Sequence, residues 1–319
     1  MSKYDALWAC IHESGRPQLT LTFEEIGRIA GVPLDHSFLK YKKELCRYGY
    51  EVVKISRRAQ TVLFAERQEG EPMNYIRITK ENIDREHICC AMSGKQSTAK
   101  KEWLRQRLEE GLVFCRSEER GKCFIEYIPA ENAWVPIEAD GYLYIDCLWV
   151  SGAMKGHGYA NDLLAECIRD AKAQGKKGIC ILCAEGRKRE FLADPKFLAY
   201  KGFRAADTSD CGITLMYLPI EPAAQPPRFK ECAKHPTIGE TGFALYYTDQ
   251  CPFTCYWVPR VQETARAHGI PFKVIHITDK ESAQNVSAPV TTYALFRDGR
   301  FLTHAIQSDK KFLALAGRG

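Results

Sequence analysis

Several places along the chain hold residues whose types and spacing could do chemistry. The sharpest is Lys155-Gly156-His157-Gly158-Tyr159-Ala160, a glycine turn that follows an alternating stretch and opens an amphipathic one. Small residues let a backbone approach a ligand closely. The first N–H groups of a helix have no intrahelical partner and carry the positive end of its dipole, so such a turn suits an anion. A dinucleotide fold would place the turn in its first strand–helix unit, with an acid about 20 residues on; here several strands precede it. The stretch ahead of the turn, Tyr142-Leu-Tyr-Ile-Asp-Cys-Leu-Trp-Val150, reads as a strand. Alternation puts Leu143, Ile145, Cys147 and Trp149 on one face, expected to be core. Tyr142, Tyr144, Asp146 and Leu148 fall on the other, expected to face a cleft. Further along, Cys251-Pro-Phe-Thr-Cys255 lies between a strand and a helix. A thiol at a helix N-terminus is acidified by the dipole, which makes Cys251 the expected reactive thiol. A Cys251–Cys255 disulfide is open if the geometry allows it. Cys180-Ile-Leu-Cys183 would point its two thiols to opposite faces of a strand, so no metal site is expected.

The elements that must position these groups fall into segments. Residues 1–70 read as a small accessory domain: helices at Asp5–His12, Glu24–Ala30 and Phe38–Cys46, then a hairpin of Tyr50–Ile55 and Gln60–Glu66. Residues 74–220 alternate strand and helix. Strands are expected at Tyr75–Thr79, Leu112–Arg116, Cys123–Ile128, Tyr142–Val150, Gly178–Cys183 and Gly212–Leu218. Helices are expected at Asn82–Met92, Thr98–Glu110, Gly158–Gln174 and Phe191–Tyr200. That order argues for one sheet flanked by helices. Residues 221–240 are proline-rich and read as a linker. Residues 241–319 restart a β-α-β-β-α pattern. The fold class is therefore α/β (α+β), a mixed sheet followed by a second α/β domain and preceded by a small helical one.

Composition narrows the setting. The chain has 319 residues, 45% of them hydrophobic and 27% charged, with a formal net charge of +5. That balance is ordinary globular material and too mildly basic to indicate nucleic-acid binding. Residues 1–70 hold eleven Lys/Arg against nine Asp/Glu, so the helix-turn-helix spacing at 24–46 reads as a solvated face rather than a DNA contact. No stretch of 18 apolar residues is present, so no membrane span is expected. Without an apolar leader segment, the fourteen cysteines read as reduced thiols of a cytoplasmic protein.

The 74–220 segment resembles the GNAT acetyltransferase superfamily. Its phosphate loop runs Arg/Gln-x-x-Gly-x-Gly/Ala, matched by Lys155, Gly158 and Ala160, with Lys as a mild departure. Tyr142–Val150 looks like the family's fourth strand, and Tyr200-Lys-Gly-Phe203 like the Gly-Phe before its last strand. The resemblance implies acetyl-CoA as cosubstrate. Its pyrophosphate would sit on the amides of Gly156, His157, Gly158, Tyr159 and Ala160, and its pantetheine arm would pair with the backbone of Trp149 and Val150. The implied partner is an amine of a small molecule or peptide.

Acetyl transfer to an amine uses a base, a site for the carbonyl oxygen, and a proton for the leaving thiolate. Asp146 is the first expectation for the base, with Tyr144 nearby and Glu126 on the neighbouring strand as an alternative. Backbone N–H groups at the splayed strand end would take the oxyanion. Where many members carry a tyrosine acid this chain has Leu198, leaving Tyr200 or water for that role. Residues 1–70 are similar to a small bacterial domain of unknown function through Lys3-Tyr-Asp-Ala-Leu7 and Leu21-Thr-Phe-Glu-Glu-Ile26. The 241–319 region resembles a thioredoxin-like domain of monothiol pattern. There Thr254 takes the second cysteine's place and Tyr293-Ala-Leu-Phe-Arg-Asp-Gly299 forms the strand and turn. GNAT followed by this segment resembles the YoaP-type acetyltransferases. The alternative reading is a thiol redox or thiol-capture protein using Cys251.

Overall fold

The computed structural model describes residues 3–66, 74–88, 94–119, 121–186 and 190–317. The chain divides into two compact units, Met1–Met73 and Asn74–Gly319.

In the first unit, α1 (Asp5–Glu13) is followed by β1 (Gln18–Thr22), α2 (Phe23–Ala30) and α3 (Phe38–Tyr41). The chain then passes into a 3-10 turn, Lys42–Tyr48, and a hairpin of β2 (Tyr50–Ser56) and β3 (Thr61–Glu66). The helix expected over 38–46 is thus one α-turn that tightens into 3-10 geometry. Leu19 and Leu21, just ahead of α2, lie in β1, which pairs antiparallel with β3 to give the sheet order β1-β3-β2. Leu7, Trp8 and Ile11 from α1 close this core with Ile26, Phe38 and Phe64. The start of α2 is fixed by a reciprocal cap. Thr22 Oγ1 accepts from Glu25 N at 3.1 Å, and Glu25 Oε2 accepts from Thr22 N at 2.7 Å. We expect Thr22→Ala to cost this unit about 1 kcal/mol. Mass-spectrometric hydrogen exchange of the α2 amides would register it as roughly fivefold faster local opening.

The second unit is built on a seven-stranded sheet. In chain order its first elements are β4 (Tyr75–Arg77), α4 (Gly94–Leu108), β5 (Val113–Ser117), β6 (Cys123–Pro129), the short β7 (Ile137–Glu138) and β8 (Tyr142–Val150). Next come α5 (Tyr159–Ala173), β9 (Gly178–Ala184), α6 (Pro195–Tyr200), β10 (Arg204–Thr208) and β11 (Ile213–Pro219). The sheet runs β10-β11-β9-β8-β6-β5-β4, antiparallel throughout except for β8 beside β9. The helix expected over 82–92 is a set of turns through residue 86, and residues 89–93 lie outside the described ones. The helix expected from Phe191 begins at Pro195, where the Asp194 side chain caps it.

In the 221–240 stretch, read from its prolines as a linker, β12 (Arg228–Phe229) pairs with β7 and α7 (Glu231–Lys234) follows. Phe229 and Ala233 there join the sheet's core. The chain continues with β13 (Phe243–Tyr247), α8 (Pro252–Ala267), β14 (Phe272–His276), α9 (Lys280–Asn285), β15 (Tyr293–Arg297), β16 (Arg300–Thr303) and α10 (Asp309–Leu315). This C-terminal sheet has the order β14-β13-β15-β16, with β13 parallel to β14 and antiparallel to β15. Helix α8 lies against α4, so the C-terminal lobe packs directly on the seven-stranded sheet's helical layer.

Candidate active site

The site is organised by an irregularity in β8. Glu126 pairs with Cys147 and the next residue, Tyr127, pairs with Ile145, so Asp146 is an extra residue bulging from β8. One inserted residue reverses the side-chain alternation beyond it. The expected division of the strand into faces is overturned for that reason. Cys147 and Trp149 lie on the same face as Tyr142 and Tyr144, opposite Phe124 and Glu126 on β6, and line the cleft. Leu148 and Val150 turn to the face of Leu143 and Ile145.

The bulge coincides with a parting of strands. β8 and β9 are paired from Tyr142↔Gly178 to Ile145↔Ile181 and no further, whereas β9 continues beside β11 to Ala184. From Cys147 onward, β8 keeps β6 on one side and, among the described residues, has no strand partner on the other. A groove of about 450 Å³ opens there between Leu148, Trp149 and Val150 on one wall and Leu192, Ala193, Asp194 and Phe197 on the other.

At the far end of β8 the chain enters the glycine turn. Gly156 has φ 91° and Gly158 φ 85°, left-handed backbone that glycine takes without strain. Gly158 is the N-cap of the 15-residue α5, which is anchored by Leu163, Leu164, Cys167 and Ala171. A Cβ on Gly156 would meet nothing within 4 Å, so the turn is open on its outer side. Lys155 and Ala160 line both this loop's hollow and the groove, joining the two. The His157 ring stacks on Tyr159 at 5.4 Å. An extended ligand with an anionic end fits this course: amides at the loop, bare strand edge along the groove.

Trp149 and Glu190 in turn line both the groove and a second cavity of about 300 Å³ under the C-terminal lobe. Phe124, Glu126 and Cys147 of the sheet meet Gln250, Cys251, Phe253 and Trp257 there. Asp146 lies beside it in a small cleft that shares Phe191, Gln250 and Thr292 with the cavity. Gln250 Nε2 donates to the Asp146 carbonyl at 3.3 Å and to Oδ1 at 3.4 Å. Thr292 Oγ1 donates to Gln250 Oε1 at 2.6 Å, which fixes the amide's orientation. The C-terminal lobe thus holds the carboxyl that the sheet presents.

Electrostatics separate the candidates. Glu126 is 1% exposed, and both its oxygens accept from Lys100 Nζ at 2.7 Å. Burial still pushes its carboxyl above the ordinary glutamate value, against the pull of Lys100. Asp146 is pushed well above the ordinary aspartate value, first by burial and then by the neighbouring Glu126 charge, with Lys100 and Arg107 opposing. Tyr144 is 6% exposed and burial holds it firmly protonated. A carboxyl with a raised pKa is a stronger base when it does ionise.

The other expected residues are placed as follows. Tyr200 is 66% exposed, carries Lys201 over its ring, and lines none of these cavities. Cys251 is the N-cap of α8 and lines the 300 Å³ cavity. The Cys255 thiol donates to Asp249 Oδ1 at 3.2 Å and is pushed up to about 12 by burial and that carboxylate. Sequence reasoning missed Lys100, Gln250 and Thr292. Lys100 sits in a lysine-rich helical stretch and reads as solvated, and the other two lie more than a hundred residues from Asp146.

A family model described as the acetyltransferase (GNAT) family matches residues 80–189, and one described as YoaP-like matches residues 271–313. The chain belongs to the GNAT acetyltransferases, in the branch that carries the YoaP-like segment, and is an acyltransferase. It is 46% identical over 244 residues to the N-acetyltransferase YoaP of Bacillus subtilis (strain 168), described as uncharacterized, covering 75% of this chain and 97% of that protein. Among solved structures, a GNAT acetyltransferase from Brucella melitensis in complex with acetyl-CoA aligns at 14% identity and TM-score 0.32, over 50% of this chain and 96% of its own. YncA from Salmonella typhimurium, with its cofactor acetyl-CoA, aligns at 16% identity and TM-score 0.35, over 48% and 97%. No helix among the described residues is long and apolar enough to cross a membrane.

Proposed function

We propose that the protein transfers an acetyl group from acetyl-CoA to the amine of a small molecule or peptide by direct attack, in a reducing, cytoplasmic setting. The observation that carries this reading is the continuous course from the glycine turn, along the parted edge of β8, to the cavity beside Asp146. When bound, acetyl-CoA supplies a carbonyl activated by a thiol leaving group. The amides from Gly156 to Ala160, with the Lys155 charge at the rim, would hold its diphosphate. The backbone of Trp149 and Val150 would hold the arm that leads to the reacting carbon. Amides on the β8 edge turned away from β6, beyond the bulge, would receive the developing oxyanion.

Asp146, held by Gln250, takes a proton from the acceptor's ammonium, directly or through a water, and the freed amine attacks. The nitrogen–carbon bond forms, the carbon–sulfur bond breaks, and the thiolate takes its proton from solvent, because Tyr200 lies outside the cavities and Tyr144 keeps its own proton. The C-terminal lobe, thioredoxin-like in this reading, serves as a wall of the site. Thiol exchange draws less support: Cys255 is held as a thiol against Asp249.

Asp146→Asn is expected to lower kcat by about 10²-fold, the low end of what positioned acid–base groups contribute. The raised carboxyl must ionise to act, so the parent's rate should climb with pH through that raised value. The variant should lose that inflection, its residual rate following only the fraction of acceptor present as free amine. Product formation followed by mass spectrometry between pH 6 and 9 checks both; a variant that keeps the parent's rate and profile removes Asp146 from the reaction.

A further inference from the structure

The 300 Å³ cavity carries more chemistry than an unspecified amine requires. Its walls are aromatic and apolar from both lobes: Phe124 and Trp149 on the sheet, Phe191, Phe253 and Trp257 across from them, and Ile306. Polar groups converge at one side, where Gln250 and Thr292 border the Asp146 cleft. Two exposed lysines, Lys122 and Lys311, also line the cavity, with two acids: Glu190 at the junction with the groove, and the buried Glu126, which Lys100 pairs.

On the acetyltransferase reading above, we infer that the acceptor is an amino-acid-type molecule: a primary amine on an aromatic or bulky apolar body that also bears a carboxylate. Aromatic walls reward burial of a rigid apolar body. A polyamine or an aminosugar would have to leave charges or hydroxyls unpaired against them. With Glu126 already paired by Lys100, the two exposed lysines outnumber Glu190, and they attract an anionic group and repel a polycation. The volume stands at the small end of ligand sites, which suits one residue-sized body and no larger scaffold. A free amino acid and the first residue of a peptide share this chemistry. The polar side beside Asp146 receives the nitrogen, and the C-terminal lobe sets the specificity.

The test uses the full chain with acetyl-CoA and mass-spectrometric detection of the acetylated product. The acceptors are phenylalanine, tryptophan, the dipeptide Phe-Gly, 2-phenylethylamine, spermidine and kanamycin. The aromatic amino acids or Phe-Gly should exceed spermidine and kanamycin in kcat/KM by about tenfold or more, and the ratio of phenylalanine to Phe-Gly separates the two sources. Trp257→Ala should raise the acceptor KM about tenfold while leaving the KM for acetyl-CoA in place. Lys311→Glu, on an exposed helix position that does not threaten folding, should erase the preference for phenylalanine over 2-phenylethylamine. Preference for spermidine or kanamycin would overturn the inference, as would no acetylation of any aromatic acceptor by protein that binds CoA, or a Lys311→Glu variant with unchanged preference. Failure of the full chain to bind CoA at all would strike the acetyltransferase reading itself, and this inference with it.

Discussion

Gly158→Leu is expected to cut the affinity for CoA by roughly 100-fold, about 2.7 kcal/mol, while leaving the fold in place. Two effects act together. Gly158 has φ 85°, and a side chain there carries strain of about 1–3 kcal/mol. The leucine would also occupy the hollow that Val150, Lys155, Gly156 and Ala160 enclose, where the ligand's anionic end is placed. Gly158→Ala separates the contributions, since it strains the backbone and fills little of the hollow. Its loss should fall between parent and leucine. Titration calorimetry with CoA gives the affinities, and a thermal melt shows whether α5 still docks. An affinity within a few-fold of the parent's, in a leucine variant that melts normally, would remove the glycine turn from the ligand's path.

The second large effect concerns stability. Lys100 and Glu126 form an ion pair with 0% and 1% side-chain exposure, at the boundary between α4 and the cavity floor. Lys100→Met removes one charge and leaves the other buried, a change that costs about 3–5 kcal/mol when a buried pair is broken. Glu126 is already pushed above the ordinary glutamate value with Lys100 present, and loses an opposing influence without it.

A carboxyl raised on folding stabilises the folded state below its unfolded pKa, and that contribution disappears as pH rises through the folded value. The deficit of Lys100→Met relative to the parent should therefore be smaller at pH 5 than at pH 8. Adding Glu126→Leu should recover most of the loss, because an apolar pair of similar bulk leaves no orphaned charge. Urea denaturation at the two pH values measures all three proteins. A deficit under 1 kcal/mol, or one that grows as the pH falls, would contradict the buried pair.

Much of the architecture was readable in the residues, and the gaps have physical causes. The glycine turn, the strand before it and the amphipathic helix after it are local patterns of Gly, alternating apolar residues and 3.6-residue spacing, and they fall where expected. β10 escaped notice because Arg204–Thr208 is a short edge strand with exposed and half-buried positions and a bulge of its own, so it lacks an apolar run. The face assignment on β8 failed because Tyr142–Val150 alternates equally well with or without a surplus residue; only its pairing with β6 exposes the bulge. Asp146 and Glu126 were accessible as polar residues on otherwise apolar strands. Their partners were not, since Lys100 reads as one more helix lysine and Gln250 reaches Asp146 only through tertiary packing.

The surplus residue in β8 makes spacing as consequential as chemistry at that point. Removing Asp146 outright is a different experiment from trimming its side chain: the strand would regain regular pairing, with Cys147 still opposite Glu126 and Trp149 still opposite Phe124 over the cavity. The wall over the cavity would survive such a shortening, while the outward step of the backbone, and the carbonyl and carboxyl that Gln250 grips there, would vanish together.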